Sequence, residues 1–464
     1  LSRYVPKMLG EAWGSMKARY DFLPTTPVAV ELYSNREQFS VRTSGLPNIG
    51  IQGVCFGRVV AAMSPKSEPF NWGNVVWHEL GHVFAIQLSK SHVPRWFTEG
   101  LSEYETIARR PEWRRSLDPQ LYLAIKRGTL PHAVDMNRAF THAADAEDVT
   151  VAYYAASQML AFTVEQFGMK KVQDALKLWG QGVKTPDVLQ RAFGVSGADY
   201  DAKFRAWTLA RNERYDGQYM FDERGKPLDD AKKAVAAAPN DANAHAALAL
   251  SLLHAHQPDD VKKELDAALK LDDKNADAHF LYSKILKDPD QSLAHLNALK
   301  QNAHDGYGVE MGIAEIAEAK KDDKARRAAL ENAWHFDPSQ SEPLDALVDL
   351  AHNEKRSADE LDLLKKLVVI DPHNRPAWHT LMQKLVEAKS WDEAKAFGES
   401  AMFVDVENAS THVAYAEALA ATGDHTKAKF ELESAALCHP KEDVAAKIKA
   451  MTAVEDAALK SGKK

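Results

Sequence analysis

Cysteine is nearly absent. Cys55 and Cys438 are the only two in 464 residues; they are too far apart to suggest a disulfide framework, and they leave the redox compartment open. No run of eighteen apolar residues occurs, which argues against a transmembrane segment. A basic stripe is also missing. Lys and Arg minus Asp and Glu give 26 − 22 = +4 for residues 1–220 and 32 − 44 = −12 for the remainder. That balance makes nucleic acid a poor partner, and the asymmetry supports two separate modules. No phosphate loop, dinucleotide fingerprint or nucleophile elbow is present.

What remains is ordinary soluble material, 45% hydrophobic and 27% charged, with a length that suits two to four domains. The sequence starts at Leu1-Ser2-Arg3, already inside an amphipathic pattern and without an initiator methionine. The expectation is a processed or truncated product, from which any signal peptide would be gone.

One short stretch carries chemistry: Trp77-His78-Glu79-Leu80-Gly81-His82. His78 and His82 are four apart, so on a helix both imidazoles leave the same face and can close on one ion, with Glu79 beside them. Two neutral imidazoles plus a carboxylate suit zinc, and a catalytic site keeps one position for water. Pro94 cannot continue that helix but suits the start of the next, on which Glu99 and Glu103 fall at i and i+4. If the helices fold back on each other, Glu99 becomes the third ligand. Glu103 is then placed to accept the second ring N–H of a ligand histidine. Sixteen residues separate His82 from Glu99, so the connecting loop is expected to be tight. His92, in that loop, reads as solvent-facing.

These residues resemble the gluzincin metallopeptidases, typified by thermolysin and the zinc aminopeptidases, with H-E-x-x-H on one helix and a Glu-Gly segment on the next. The run from Pro94 to Tyr104 is more closely similar to the peptidase MA-like proteins, bacterial chains that join such a domain to tetratricopeptide repeats. The resemblance extends loosely over residues 1–215. It implies an α+β, thermolysin-like zinc peptidase domain, a small sheet plus helices, with one zinc ion per chain. It also implies a tyrosine in the region of Tyr153-Tyr154, where a phenol could donate to the tetrahedral oxyanion; Tyr153 is the favoured of the two, and burial in the core is the other reading. Aminopeptidases of the group hold the substrate amino terminus with an acidic residue on the strand ahead of the zinc helix. Residues 54–63 contain no acid, which favours an endopeptidase or an unusual exopeptidase. Proteins of this kind are often exported, so the resemblance implies a periplasmic or envelope location; the residues themselves leave the compartment open.

Around the motif, a helix is predicted over residues 2–20 and a buried strand over 28–33. A glycine-rich stretch follows from Gly45 to Gly57, then a strand over 54–63; the resemblance implies a sheet edge there for an extended peptide, and an ordinary core strand is the other reading. Residues 146–168 are predicted to form one long helix ending on a left-handed Gly168 cap, followed by helices over 169–182 and 184–215.

Past a linker at 216–227 the chain repeats. Turn positions recur at Pro239 and Asp273, then at Pro338, Pro372, Val406 and Pro440, each step within the two series being 34 residues. That is the tetratricopeptide period, one helix pair per unit. Between Asp273 and Pro338 the spacing is three short of two periods, so one middle unit should be degenerate. The expected architecture is a peptidase domain (1–215), a linker (216–227) and an all-α superhelical solenoid (228–464) of six or seven units. Peptide or protein substrate is the expected ligand of the first part, and a protein partner that of the repeats. The alternative function is a catalytically silent, metal-stabilised domain on an interaction scaffold.

Overall fold

The computed structural model describes residues 1–461 apart from 48, 49, 67 and 144; Asn48 and Ile49, within the expected glycine-rich stretch, thus lie outside the described residues. The chain forms two compact units, Leu1–Ala210 with Leu364–Lys464, and Arg211–Leu363. Among the described residues no helix is long and apolar enough to cross a membrane.

In the first unit, helix α1 (Val5–Tyr20) buries Val5, Met8, Ala12, Met16 and Tyr20, a helical stripe. Strand β1 (Ala29–Tyr33) and helix α2 (Arg36–Ser44) follow. Where the sequence suggested one strand over 54–63, the chain folds into a hairpin of β2 (Gly53–Cys55) and β3 (Val59–Met63). Its turn holds Gly57 at φ 78°, a conformation glycine adopts without strain, and Phe56 N donates to Val59 O at 2.8 Å. The sheet order is β1-β3-β2, with β1 parallel and β2 antiparallel to β3. The buried β3 is therefore central, and β2 is the edge.

Helix α3 (Trp72–Leu88) is capped by Asn71, whose side chain accepts Asn74 N. It is buried nearly all round, as befits a central helix. A six-residue loop leads to α4 (Arg95–Arg109), which starts directly after Pro94. Then come α5 (Asp118–Arg127), the short α6 (Arg138–Thr141), α7 (Ala146–Phe167) and α8 (Met169–Trp179). Gly168 ends α7 at φ 81°, ψ 155°; this is a glycine conformation, but an extended one, not the left-handed cap expected. Two glycines set the spacing of the central helices. A Cβ on Gly81 of α3 would lie 2.9 Å from Ser102 Oγ and 3.0 Å from its Cα on α4, and one on Gly100 of α4 would strike the Ala156 carbonyl of α7. Beneath them Tyr20 donates to the buried Glu105 at 2.6 Å, and Arg19 pairs with the same carboxylate at 3.1 Å.

Residues 364–464 continue this unit with the helices Arg375–Glu387, Trp391–Met402, Ala409–Ala421, His425–Ala436 and Glu442–Ser461. They pack on the start of α3. Trp72 Nε1 donates to Met402 O at 2.9 Å and Trp72 N to Phe403 O at 3.1 Å. The buried Phe403 ring contacts Trp72 and Trp113 at centroid distances of 5.3 and 5.1 Å. From α1, the Tyr4 hydroxyl donates to Glu431 at 2.6 Å, and His412 Nδ1 reaches the same carboxylate at 2.7 Å.

The second unit carries helices Leu228–Ala237, Ala242–His254, Pro258–Leu271, Ala276–Ile285, Pro289–Gln301, Tyr307–Ala319, Asp323–Phe336 and Glu342–Asn353. The 34-residue period reappears as a hydrogen bond. In four repeats the ring nitrogen six residues beyond the turn position meets that position's carbonyl: His245 with Pro239 at 3.0 Å, His279 with Asp273 at 2.9 Å, Trp378 with Pro372 at 3.1 Å and His412 with Val406 at 2.8 Å. The three-residue shortfall falls in Ala276–Ile285, ten residues long against thirteen for Ala242–His254. The segment expected as a linker is fastened to these repeats: Gln218 Nε2 donates to Phe336 O at 2.9 Å, Tyr219 N to Asp305 O at 2.8 Å, and the Tyr219 hydroxyl to Asp277 at 2.8 Å.

Two measurements check the packing of the first unit. Phe403→Ala removes a buried ring and should cost about 3–5 kcal/mol, read as a lower thermal midpoint; an unchanged midpoint would mean that the contact with α3 contributes little. For His412, burial works against the charge, but hydrogen bonds to Cys438 and Glu431 outweigh it and raise the pKa from 6.5 to about 9. A histidine with a raised folded pKa gives stability that is full below the unfolded value and lost as pH rises through the folded one. Denaturant titrations should therefore show stability declining between about pH 6.5 and 9, and the decline should shrink in His412→Gln.

Candidate functional site

His78 and His82 leave the same face of α3, and α4 brings Glu99 against both. Glu99 Oε2 lies 3.4 Å from His78 Nε2 and 3.3 Å from His82 Nε2, and the two nitrogens are 3.1 Å apart. The outer ring nitrogens have partners: His78 Nδ1 meets Glu103 Oε1 at 3.0 Å, and His82 Nδ1 meets Thr98 Oγ1 at 2.8 Å. With Nδ1–H donating outward in each ring, both Nε2 lone pairs turn toward Glu99. Three acceptors facing one another at this range repel unless a cation or proton lies between them. A tetrahedral ion with bonds of about 2.0–2.1 Å holds its ligands about 3.3 Å apart, so the triangle fits zinc. With protons rather than an ion between them, burial works against the charge of Glu99, but hydrogen bonds from the two charged imidazoles hold its carboxyl well below the usual range.

Glu79 belongs to the same cluster, its carboxylate within 4.8 Å of both imidazoles, but it plays another part. It points toward β2, where a Cβ on Gly53 would lie 2.5 Å from Glu79 Oε1. Glu79 is 6% exposed, and nothing among the described residues hydrogen-bonds its Oε2. Burial raises its proton affinity, only partly offset by the two histidines.

The tyrosines separate. The Tyr153 hydroxyl is 3.5 Å from Glu99 Oε1 and accepts from Arg95 Nη2 at 3.1 Å. The Tyr154 hydroxyl is committed to Asp118 Oδ1 at 2.5 Å, a buried contact. The site opens into a cleft of about 900 Å³, walled by Gly50–Cys55 of the sheet edge, by Tyr153, by Arg95 and Arg115, and by His373 from the C-terminal repeats. His92 is exposed in the loop between the two helices and does not line the cleft.

Comparison with known proteins bears on the same region. Residues 20–210 match the family model of the Peptidase MA superfamily. That span holds α3, α4, α7 and the sheet, and so His78, His82 and Glu99. No curated protein matches the chain. Among solved structures the chain is similar to YrrB, described as a TPR protein with an unusual peptide-binding site, at 17% identity, covering 47% of this chain and 97% of that one with a TM-score of 0.25. It is also similar to a tetratricopeptide repeat protein from Parabacteroides merdae (11% identity, 49% and 90% covered, TM-score 0.29) and to yeast Tom70 (13%, 83% and 89%, TM-score 0.27).

Several residues of the site escaped the sequence reading. Arg95 and Thr98 lie in the Pro94–Tyr104 run and Gly53 in the glycine-rich stretch, but the sequence reading gave none of these, nor Arg115, a role of its own. Thr98 could have been found as the hydroxyl beside the third donor; the others depend on which surfaces meet. Thr98→Val keeps the shape and removes the partner of His82 Nδ1. It should weaken zinc affinity about 10–100-fold, the usual scale for such supporting bonds, in a competition titration against a chelator; unchanged affinity would show that the ring is oriented without Thr98.

Proposed function

We propose that the chain is a zinc-dependent peptidase of the gluzincin type, acting on peptide bonds within a polypeptide, with repeats that hold the substrate or a protein partner. The observation that carries this reading is the convergence of His78 Nε2, His82 Nε2 and Glu99 Oε2 at 3.1–3.4 Å, with an unpartnered buried carboxylate oxygen of Glu79 beside them. His78, His82 and Glu99 would hold the ion, and Glu103 and Thr98 would orient the rings. Bound zinc supplies Lewis acidity and brings the pKa of water toward neutrality.

The remaining steps belong to the chain's own groups. Glu79, with its free oxygen and raised proton affinity, accepts the proton of the attacking water and returns it to the leaving amine. Tyr153 is the phenol close enough to donate to the oxyanion, and Arg95, 3.1 Å from its hydroxyl, fixes its direction. Tyr154, committed to Asp118, has a packing role. Among the strands β2 pairs only with β3, so its other edge can accept an extended backbone regardless of side chains. Gly50–Cys55 offer no acid to anchor an amino terminus, which favours internal cleavage.

Glu79→Gln should retain one zinc per chain and lose about 10²–10⁴-fold in kcat; wild-type turnover in that variant would show that Glu79 is not the base. Tyr153→Phe should lower kcat about 10²–10³-fold with zinc retained, whereas Tyr154→Phe should lower the thermal midpoint and leave kcat within a few-fold. Equal kcat losses would remove the distinction between the two. Protein purified without zinc and inactive after zinc is added would point to the interaction scaffold.

A further inference from the structure

We infer that Arg115 reads a carboxylate of the substrate, so that the cleft prefers peptides carrying an anionic group near the scissile bond; this rests on the peptidase reading. Arg115 follows the short turn Pro111–Trp113 that closes α4, and it lines the cleft. The cations around it are engaged. Arg110 pairs with Glu399 at 3.0 Å, Arg114 lies 3.9 Å from Asp118, and Arg95 is 3.4 Å from Glu99. Arg115 has no hydrogen bond or ion pair among the described residues.

Two carboxylates act on Arg115 from a distance, Asp371 and Glu103, and both have other partners. Glu103 Oε1 meets His78 Nδ1 at 3.0 Å, and Asp371 Oδ1 accepts His373 N at 3.1 Å. Arg115 is exposed at the cleft wall, and its guanidinium is charged. A guanidinium that no side chain already pairs can meet an incoming anion without first breaking an ion pair. His373, on the same cleft wall, is kept neutral, its pKa pushed down to about 3 by burial and by the Arg115 charge. The cleft lining contains no lysine, and its other arginine, Arg95, faces Glu99 and Tyr153. Arg115 is thus the one uncommitted positive charge among the described lining residues. A guanidinium suits a carboxylate through two parallel N–H bonds, whether an Asp or Glu side chain or a chain terminus supplies it.

The test uses the full chain with zinc and three peptides of one core sequence: internal Glu with an amidated end, Gln with a free C-terminal carboxylate, and Gln with an amidated end. Wild type should favour one carboxylate peptide over the neutral one by about 10–100-fold in kcat/KM, the range for a charge-assisted hydrogen bond, and which one wins identifies the source of the anion. In Arg115→Ala the ratio should fall to near one, and in Arg115→Glu a Lys-containing peptide should overtake the Glu peptide. The same ratios, measured as binding to the Glu79→Gln protein by calorimetry, decide the question without turnover. A wild type with no preference, or a preference surviving in Arg115→Ala, would overturn the inference and leave the peptidase reading intact. Cleavage insensitive to Glu79→Gln would remove that reading, and the binding ratios would still decide the role of Arg115.

Discussion

Three lone pairs held within 3.4 Å of one another are the constraint on which the rest of the first unit depends. Left alone they repel, so the scaffold must hold α3 and α4 together against that cost. Gly81 and Ser102 let the backbones approach until a Cβ would not fit, and Gly100 does the same between α4 and α7. Glu99 lies beside Gly100 in sequence, so the contact that seats α4 on α7 also aims the third donor. Tyr20 and Arg19 anchor α4 from below through Glu105, and the Nδ1 contacts fix both rings. Each of these is a packing or hydrogen-bonding device, and together they set a triangle that fits a tetrahedral cation.

What could be read from the sequence followed from helical period. His78, Glu79 and His82 lie within one turn of the same helix, and Glu99 and Glu103 are four apart on the next, so their relative placement needed only the assumption that two consecutive helices fold back. The choice between Tyr153 and Tyr154 could not be read in this way. Adjacent helical residues point about 100° apart, and which one faces the metal group depends on how α7 is turned. That rotation is set where Ala156 meets Gly100. Tyr153, three residues earlier, shares that face, whereas Tyr154 turns to Asp118. The 54–63 segment misled for another reason. Its apolar residues flank a turn of only three residues, hiding a hairpin whose signal was the pair Gly57-Arg58.

The repeats show the same division between local and distant information. Turn positions 34 residues apart could be read because the spacing is local and repeated, and at four of the six the turn carbonyl takes a ring N–H from six residues onward. That the last repeats share a compact unit with residues 1–210 was not visible. It rests on Trp72 meeting Met402 and Phe403, some 330 positions away, and no periodicity encodes such a contact.

That contact ties the repeats to the chemistry. Trp72 is the first residue of α3, six before His78, so Met402 and Phe403 meet the first two residues, Trp72 and Gly73, of the helix that carries both histidines. Phe403 also touches Trp113, two residues before Arg115, and the turn at Asp371–Asn374 brings His373 to the cleft wall. The C-terminal repeats therefore act on the cleft in two places, by fixing the start of α3 and by supplying part of its lining. An extended peptide along the free edge of β2 would run beside Glu79 at Gly53, where the absence of a side chain leaves the carboxylate its room. On this geometry one turn of the repeats is already part of the cleft wall, with His373 facing the same space as Glu79 and Glu99.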